Sequence, residues 1–161
     1  MDARECRFAV EELQHAYVHC IDNDRLEEWP DFFTDACRYE VTTRENVEQG
    51  LPVSVIYCDS KGMLRDRIVA LRQANIYGSH RYRHMISAIR VTKAEGNMVS
   101  AETNYAVYRT MLDPVNYGHS ELYSVGVYLD TIVIEAGVAR FREKVVLVDT
   151  ARILSLLVTP L

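Results

Sequence analysis

The sequence has no stretch approaching the roughly 20 apolar residues of a membrane-crossing helix. Its opening, Met1-Asp2-Ala3-Arg4-Glu5, lacks the basic-then-apolar layout of a secretion signal, so a soluble, cytoplasmic protein is expected. There is no basic excess either: 18 Lys and Arg stand against 23 Asp and Glu, mixed along the chain, for a net charge of -5. Neutralising phosphates takes a clustered positive field, so nucleic acid is not an expected partner. Cysteines at paired-ligand spacing are missing as well. Cys6, Cys20, Cys37 and Cys58 are too far apart for CxxC metal binding, and without an export signal they read as reduced thiols of the core. No repeat, low-complexity tract or linker interrupts the chain. Its 161 residues and 48% hydrophobic content suit a single domain over 1–161.

What is present is a switch of periodicity. Val10, Leu13, Tyr17, Cys20 and Ile21 recur at helical spacing, which predicts a first helix over residues 5–21. Pro30 stops the following turn, and Phe32 and Phe33 offer a large apolar plug to seat that helix. Residues 37–43 read as a strand. Residues 53–58 read as a short extended piece after the Gly50-Leu51-Pro52 break. Asp59 or Ser60 can cap a second helix over 61–75, with Leu64, Ile68 and Leu71 as its buried stripe. From Tyr82 onward the pattern alternates: strands are predicted over 84–92, 98–110, 120–134 and 139–148. Gly96-Asn97 and Glu135-Ala136-Gly137 supply hairpin turns. Helices first and long strands after make this an α+β chain.

Two constellations carry possible chemistry. His15 and His19 stand four apart on the first helix with Asp22 close by, the residue types of a two-histidine, one-carboxylate iron site. Ala16 occupies the place where a zincin helix needs glutamate, and the set reads as a solvated helix face, so no metal is assigned to this chain. Arg65, Asp66, Arg67, Arg81, Arg83 and Arg90 form a dense charged set around the second helix and the next strand. Arginine's planar fork suits bidentate pairing at subunit contacts.

The stretch Tyr57-Cys58-Asp59-Ser60-Lys61-Gly62-Met63-Leu64-Arg65-Asp66-Arg67, followed by Arg81-Tyr82-Arg83-His84, resembles the small (beta) subunit of aromatic-ring-hydroxylating dioxygenases. So do residues 29–41 and the ending 145–161. The pattern is nearest to the salicylate hydroxylase, anthranilate and terephthalate dioxygenase type. The resemblance implies a cystatin-like or nuclear-transport-factor-like cone, with a long curved antiparallel sheet around N-terminal helices. It also implies a structural role in a complex of three large and three small chains, served indirectly by a reductase or ferredoxin and acting on an aromatic carboxylate. The Rieske two-iron two-sulfur cluster and the mononuclear iron would sit on the large (alpha) subunit, since the Cys-x-His and Cys-x-x-His motifs of a Rieske site are absent here. No cofactor and no catalytic residue is then assigned to this chain. Arg65, Arg67, Arg81, Arg83 and His84 are the interface candidates.

Cone folds also include cofactor-free enzymes such as ketosteroid isomerase and scytalone dehydratase. On that alternative reading, Asp31, Tyr39, His84, Tyr105 and Tyr123 would face a pocket, where a desolvated carboxylate abstracts a proton and a tyrosine donates to the enolate oxygen.

Overall fold

The computed structural model describes residues 2–74, 77–149 and 157–161. Helix α1 (Ala3–Asp22) opens two residues before the expected start because Asp2 and Glu5 form a capping box: the Asp2 carboxylate accepts from the amides of Arg4 and Glu5, and Glu5 accepts from the amide of Asp2. Its buried face runs through Cys6, Val10, Leu13, Tyr17 and Ile21. A 3-10 turn (Trp29–Phe32) with Pro30 in its first turn then leads into β1 (Phe33–Thr43).

A short helix α2 (Arg44–Glu48), capped by the Thr43 hydroxyl, follows where no element was expected. Strand β2 (Ile56–Cys58) is shorter than the expected 53–58. The carbonyl of Val53 is taken by the side chains of Thr42 and Asn46, so the chain joins the ladder only after it. Helix α3 (Lys61–Gln73) is capped by Ser60 and buries Leu64, Ile68 and Leu71 as expected; Asn75, its expected last residue, lies outside the described residues. The strands β3 (His80–Glu95), β4 (Met98–Met111), β5 (Ser120–Glu135) and β6 (Val138–Val148) are two long hairpins. Gly96 turns the first with φ 61°, and Ala136 and Gly137, both at positive φ, turn the second.

The sheet order is β2-β1-β6-β5-β4-β3. The expectation of an antiparallel sheet needs one correction: β1 runs parallel to β6, with Tyr39 opposite Lys144 and Val41 opposite Val146. Strand order does not follow from side-chain periodicity. Here the first strand joins the edge of β6, one of the two edges that the pair of hairpins leaves open. The sheet curls, since α1 touches both β3 and β6, which are separated by two strands. Its concave side carries Tyr39, Tyr105, Tyr128, Phe141 and Val146, closed by Tyr17 of α1 and by Trp29 and Phe33. The α+β cone is the observed architecture.

Candidate functional site

The five residues of the pocket alternative do not converge on an open space. Asp31 lies on the surface, 71% exposed, 3.3 Å from Lys61. Tyr39 is fully buried, accepts the amide proton of Leu161 at 3.0 Å and donates to the Leu161 oxygen at 3.3 Å. Burial pushes its hydroxyl up to about 12. Tyr105 shares a hydrogen bond with Ser124 at 3.0 Å and stacks on Tyr128, ring centroids 4.4 Å apart. Burial likewise raises it. Tyr123 stacks on Tyr82, with the Arg109 guanidinium over its face at 4.4 Å. His84 is oriented by Asp22, which accepts from its ring Nδ1 at 2.6 Å and its backbone amide at 2.9 Å. The other ring nitrogen, Nε2, is buried without a hydrogen-bond partner among the described residues.

At the middle of the cone is a centre that the sequence reading missed. Lys144 has no exposed side-chain surface, and its ammonium donates to Asp130 at 3.2 Å and to Gln14 Oε1 at 3.2 Å. Gln14 in turn donates to Asp130 and Thr103. The ammonium also lies over the rings of Tyr128, Phe141 and Tyr17 at 3.8, 4.3 and 4.5 Å. Burial lowers Lys144 to about 8 and raises Asp130, while their mutual attraction opposes both shifts. A legible signal existed: Asp130 shares its inward parity with Tyr128 and Ile132, and it is the registered partner of Lys144 across the second hairpin. Opposite charges at two facing core positions mark a buried pair.

The interface candidates divide. Arg67 is half-buried and donates to the Leu157 carbonyl at 3.0 Å. The side chain of His84 is wholly inside. Arg67 is partly exposed because it borders the buried stripe of α3, and His84 is enclosed because it takes the inward parity of β3. Arg65 and Arg81 are exposed, and Arg83 is 61% exposed with its nearest carboxylate, Asp22, at 4.0 Å. Asp66 is exposed, and Arg90 pairs with Glu102 at 2.5 Å. Beside Arg81 and Arg83 the outward sheet face is apolar. Met85 lies opposite Ala106, and Tyr108 lies opposite both Arg83 and Leu122. Met85, Tyr108 and Leu122 are 55%, 44% and 53% exposed. Apolar residues on both faces of one sheet are the signal that a second layer covers the outer one.

The SnoaL-like domain model matches residues 2–145. The anthranilate 1,2-dioxygenase small subunit of Burkholderia cepacia is 42% identical over 96% of this chain and 93% of its own length. The chain belongs to the small-subunit family of aromatic-ring-hydroxylating dioxygenases. A terephthalate 1,2-dioxygenase terminal oxygenase component subunit beta 2 from a Comamonas species is 38% identical to this small subunit, over 91% of the chain and 92% of that protein. A crystal structure of a beta subunit of an aromatic-ring-hydroxylating dioxygenase from Novosphingobium aromaticivorans superposes with a TM-score of 0.87 at 42% identity, covering 98% and 97% of the two chains. The small subunit is therefore one component of an oxidoreductase complex that includes a larger oxygenase chain.

The donor set of this small subunit does not fit an iron site. His15 and His19 are exposed on α1, while Asp22 is turned inward to His84. No cluster of three or more His, Cys, Asp or Glu able to hold a metal occurs among the described residues. No helix among them is long and apolar enough to cross a membrane.

Proposed function

We propose that this chain is the structural small subunit of a Rieske-type ring-hydroxylating oxygenase acting on an aromatic carboxylate. Three small chains would brace three large ones in the cytoplasm. The large chain carries the Rieske cluster and the mononuclear iron, and a reductase or ferredoxin feeds it electrons. The observation that carries this reading is the 42% and 38% identity, over more than nine-tenths of each chain, to the anthranilate and terephthalate small subunits, both named for ring carboxylates. The outward sheet face supports it. An apolar patch of Met85, Tyr108 and Leu122, bordered by Arg81 and Arg83, has the anatomy of an interface: an apolar centre and a polar rim able to pair with carboxylates. Arg65 on α3 offers a second exposed cation.

The acid-base enzyme reading finds less support. Its candidate residues are bonded into the core or lie on the surface, and Leu161 fills the space between Tyr17 and Tyr39.

The deciding experiment is native mass spectrometry of the tagged chain purified from its own cells, with a visible spectrum and iron and sulfide analysis of the same sample. A brown assembly of about six chains containing a larger polypeptide is expected. A colourless homo-oligomer with nothing attached would overturn the reading.

A further inference from the structure

Residues 157–161 lie inside the cone. Leu161 has no exposed surface, and Leu157, Val158 and Thr159 are buried. The Leu161 oxygen accepts from the hydroxyls of Tyr17 at 2.7 Å and Tyr39 at 3.3 Å. The Leu161 amide donates to the Tyr39 hydroxyl at 3.0 Å. At the other end, Arg67 holds the Leu157 carbonyl at 3.0 Å. Between these ends the Thr159 hydroxyl meets His80 Nε2 at 3.5 Å.

The groups that hold this segment come from four separate elements: Tyr17 from α1, Tyr39 from β1, Arg67 from α3 and His80 from β3. The Tyr17 and Tyr39 rings belong to the aromatic lining of the cone, in edge contact with Trp29 and Phe33. Each contact is of the kind a binding pocket makes with a ligand: an apolar body in an aromatic wall, with a few convergent polar groups fixing the main-chain oxygens and amide. Covalent attachment raises the effective concentration of such a ligand and keeps the pocket closed.

We propose that the cone interior is a peptide-binding chamber and that residues 157–161 are its resident ligand. The site takes a short apolar segment through the Leu161 main-chain oxygen, shared by two tyrosine hydroxyls, and the Leu157 carbonyl, fixed by Arg67. Among the described residues, occupancy by the chain itself is what fills the space between Tyr17 and Tyr39.

Hydrogen exchange on the full-length chain tests it. Tyr39→Phe keeps the ring and removes the acceptor of the Leu161 amide, so exchange at that amide should accelerate by about tenfold or more, the scale of one lost hydrogen bond. Core amides such as that of Ile132 should stay as protected as in the parent. Unchanged exchange at Leu161 in both Tyr39→Phe and Tyr17→Phe overturns the proposal.

A variant ending at residue 156 gives the second arm. Trp29, the single tryptophan, has its ring 5.0 Å from that of Tyr39 and reports on the chamber. Its emission should change when the segment is removed and return, saturably, on adding the synthetic peptide Leu-Val-Thr-Pro-Leu. A folded variant whose emission ignores the peptide also overturns the proposal. If that variant does not fold, the exchange result on the full-length chain decides.

Discussion

The ammonium of Lys144 lies 3.2 Å from the carboxylate of Asp130, and neither side chain has any surface in contact with water. Removing one partner leaves the other charge buried alone. Lys144→Met should therefore cost about 3–5 kcal/mol of stability. Adding Asp130→Leu should recover most of it, less the about 1–3 kcal/mol that the stranded Gln14 amide forfeits. Urea unfolding of the parent and both variants is the check. A Lys144→Met single variant within about 1 kcal/mol of the parent would contradict a buried charge left without its partner.

Alkaline pH should loosen the cone through its tyrosines. Tyr39 ionises near 12 when folded, against an ordinary value near 10 when unfolded. A raised folded pKa gives stability that is whole below pH 10 and is lost as the pH rises through 12, at up to about 1.4 kcal/mol per unit. Burial shifts Tyr17, Tyr82 and Tyr128 the same way. Lys144 acts with the opposite sign between about 8 and 10.5, where the folded state gives up its proton first. The stability of Tyr39→Phe relative to the parent should thus improve steadily above pH 10. A difference that does not change with pH would be inconsistent with this assignment.

The thiols should be inert in the folded chain. Cys6, Cys20, Cys37 and Cys58 are all buried, and burial pushes Cys20 and Cys37 up to about 11 and raises Cys58. The thiolate is the reactive form, so a disulfide reagent at pH 8 should label fewer than about one thiol within minutes. All four should react in denaturant. Rapid titration of two or more in the folded protein would contradict this packing.

Gly126 should tolerate no side chain. A Cβ there would run into the carbonyl oxygen of Leu147 on β6 and lie 3.1 Å from the ring of Tyr105. Gly126→Ala should cost more than about 3 kcal/mol or abolish soluble expression, because two backbones would have to part. Gly96→Ala meets open space and should lose only about 1 kcal/mol from its positive φ. Comparable thermal midpoints for the two variants would refute the distinction.

The assembly face can be tested without touching the core. Met85→Asp with Tyr108→Asp should abolish co-purification of a large chain while the small subunit keeps its own unfolding midpoint. Arg83→Ala should weaken association more at low salt than at high salt, as expected for a charge at the rim. Normal assembly by the double variant would remove the outward sheet face from the interface.

The amphipathic helices and the four long strands were legible in the sequence because each has its own period and punctuation. Ser60, Gly96 and Gly137 marked their boundaries correctly. The start of α1 was readable too, in the Asp2 and Glu5 pair, though apolar spacing alone placed it two residues late. What could not be read depends on residues far apart in the chain. Arg67 looks like a surface cation until the Leu157 carbonyl is beside it. Tyr39 looks like a pocket acid until Leu161 takes its hydroxyl. The charged pair of Lys144 and Asp130, by contrast, was legible in part, since two opposite charges take inward-parity positions on the two arms of one hairpin, and the register of that hairpin completes it.

The parallel pairing of β1 with β6 sets the order in which the protein can be finished. On the ribosome, β1 emerges roughly 100 residues before the strand it must lie against, about 5–20 s at ordinary rates of synthesis. Through that interval β1 has only the short antiparallel strand β2 to pair with, Tyr39 opposite Cys58 and Val41 opposite Ile56, while both hairpins can close by local contacts as soon as they appear. Capture of the first strand by the last is thus a late step of maturation, and it brings Tyr39 opposite Lys144. A nascent small subunit should therefore need protection of its N-terminal third until synthesis is nearly over, and a large chain can recognise its finished surface only after that closure.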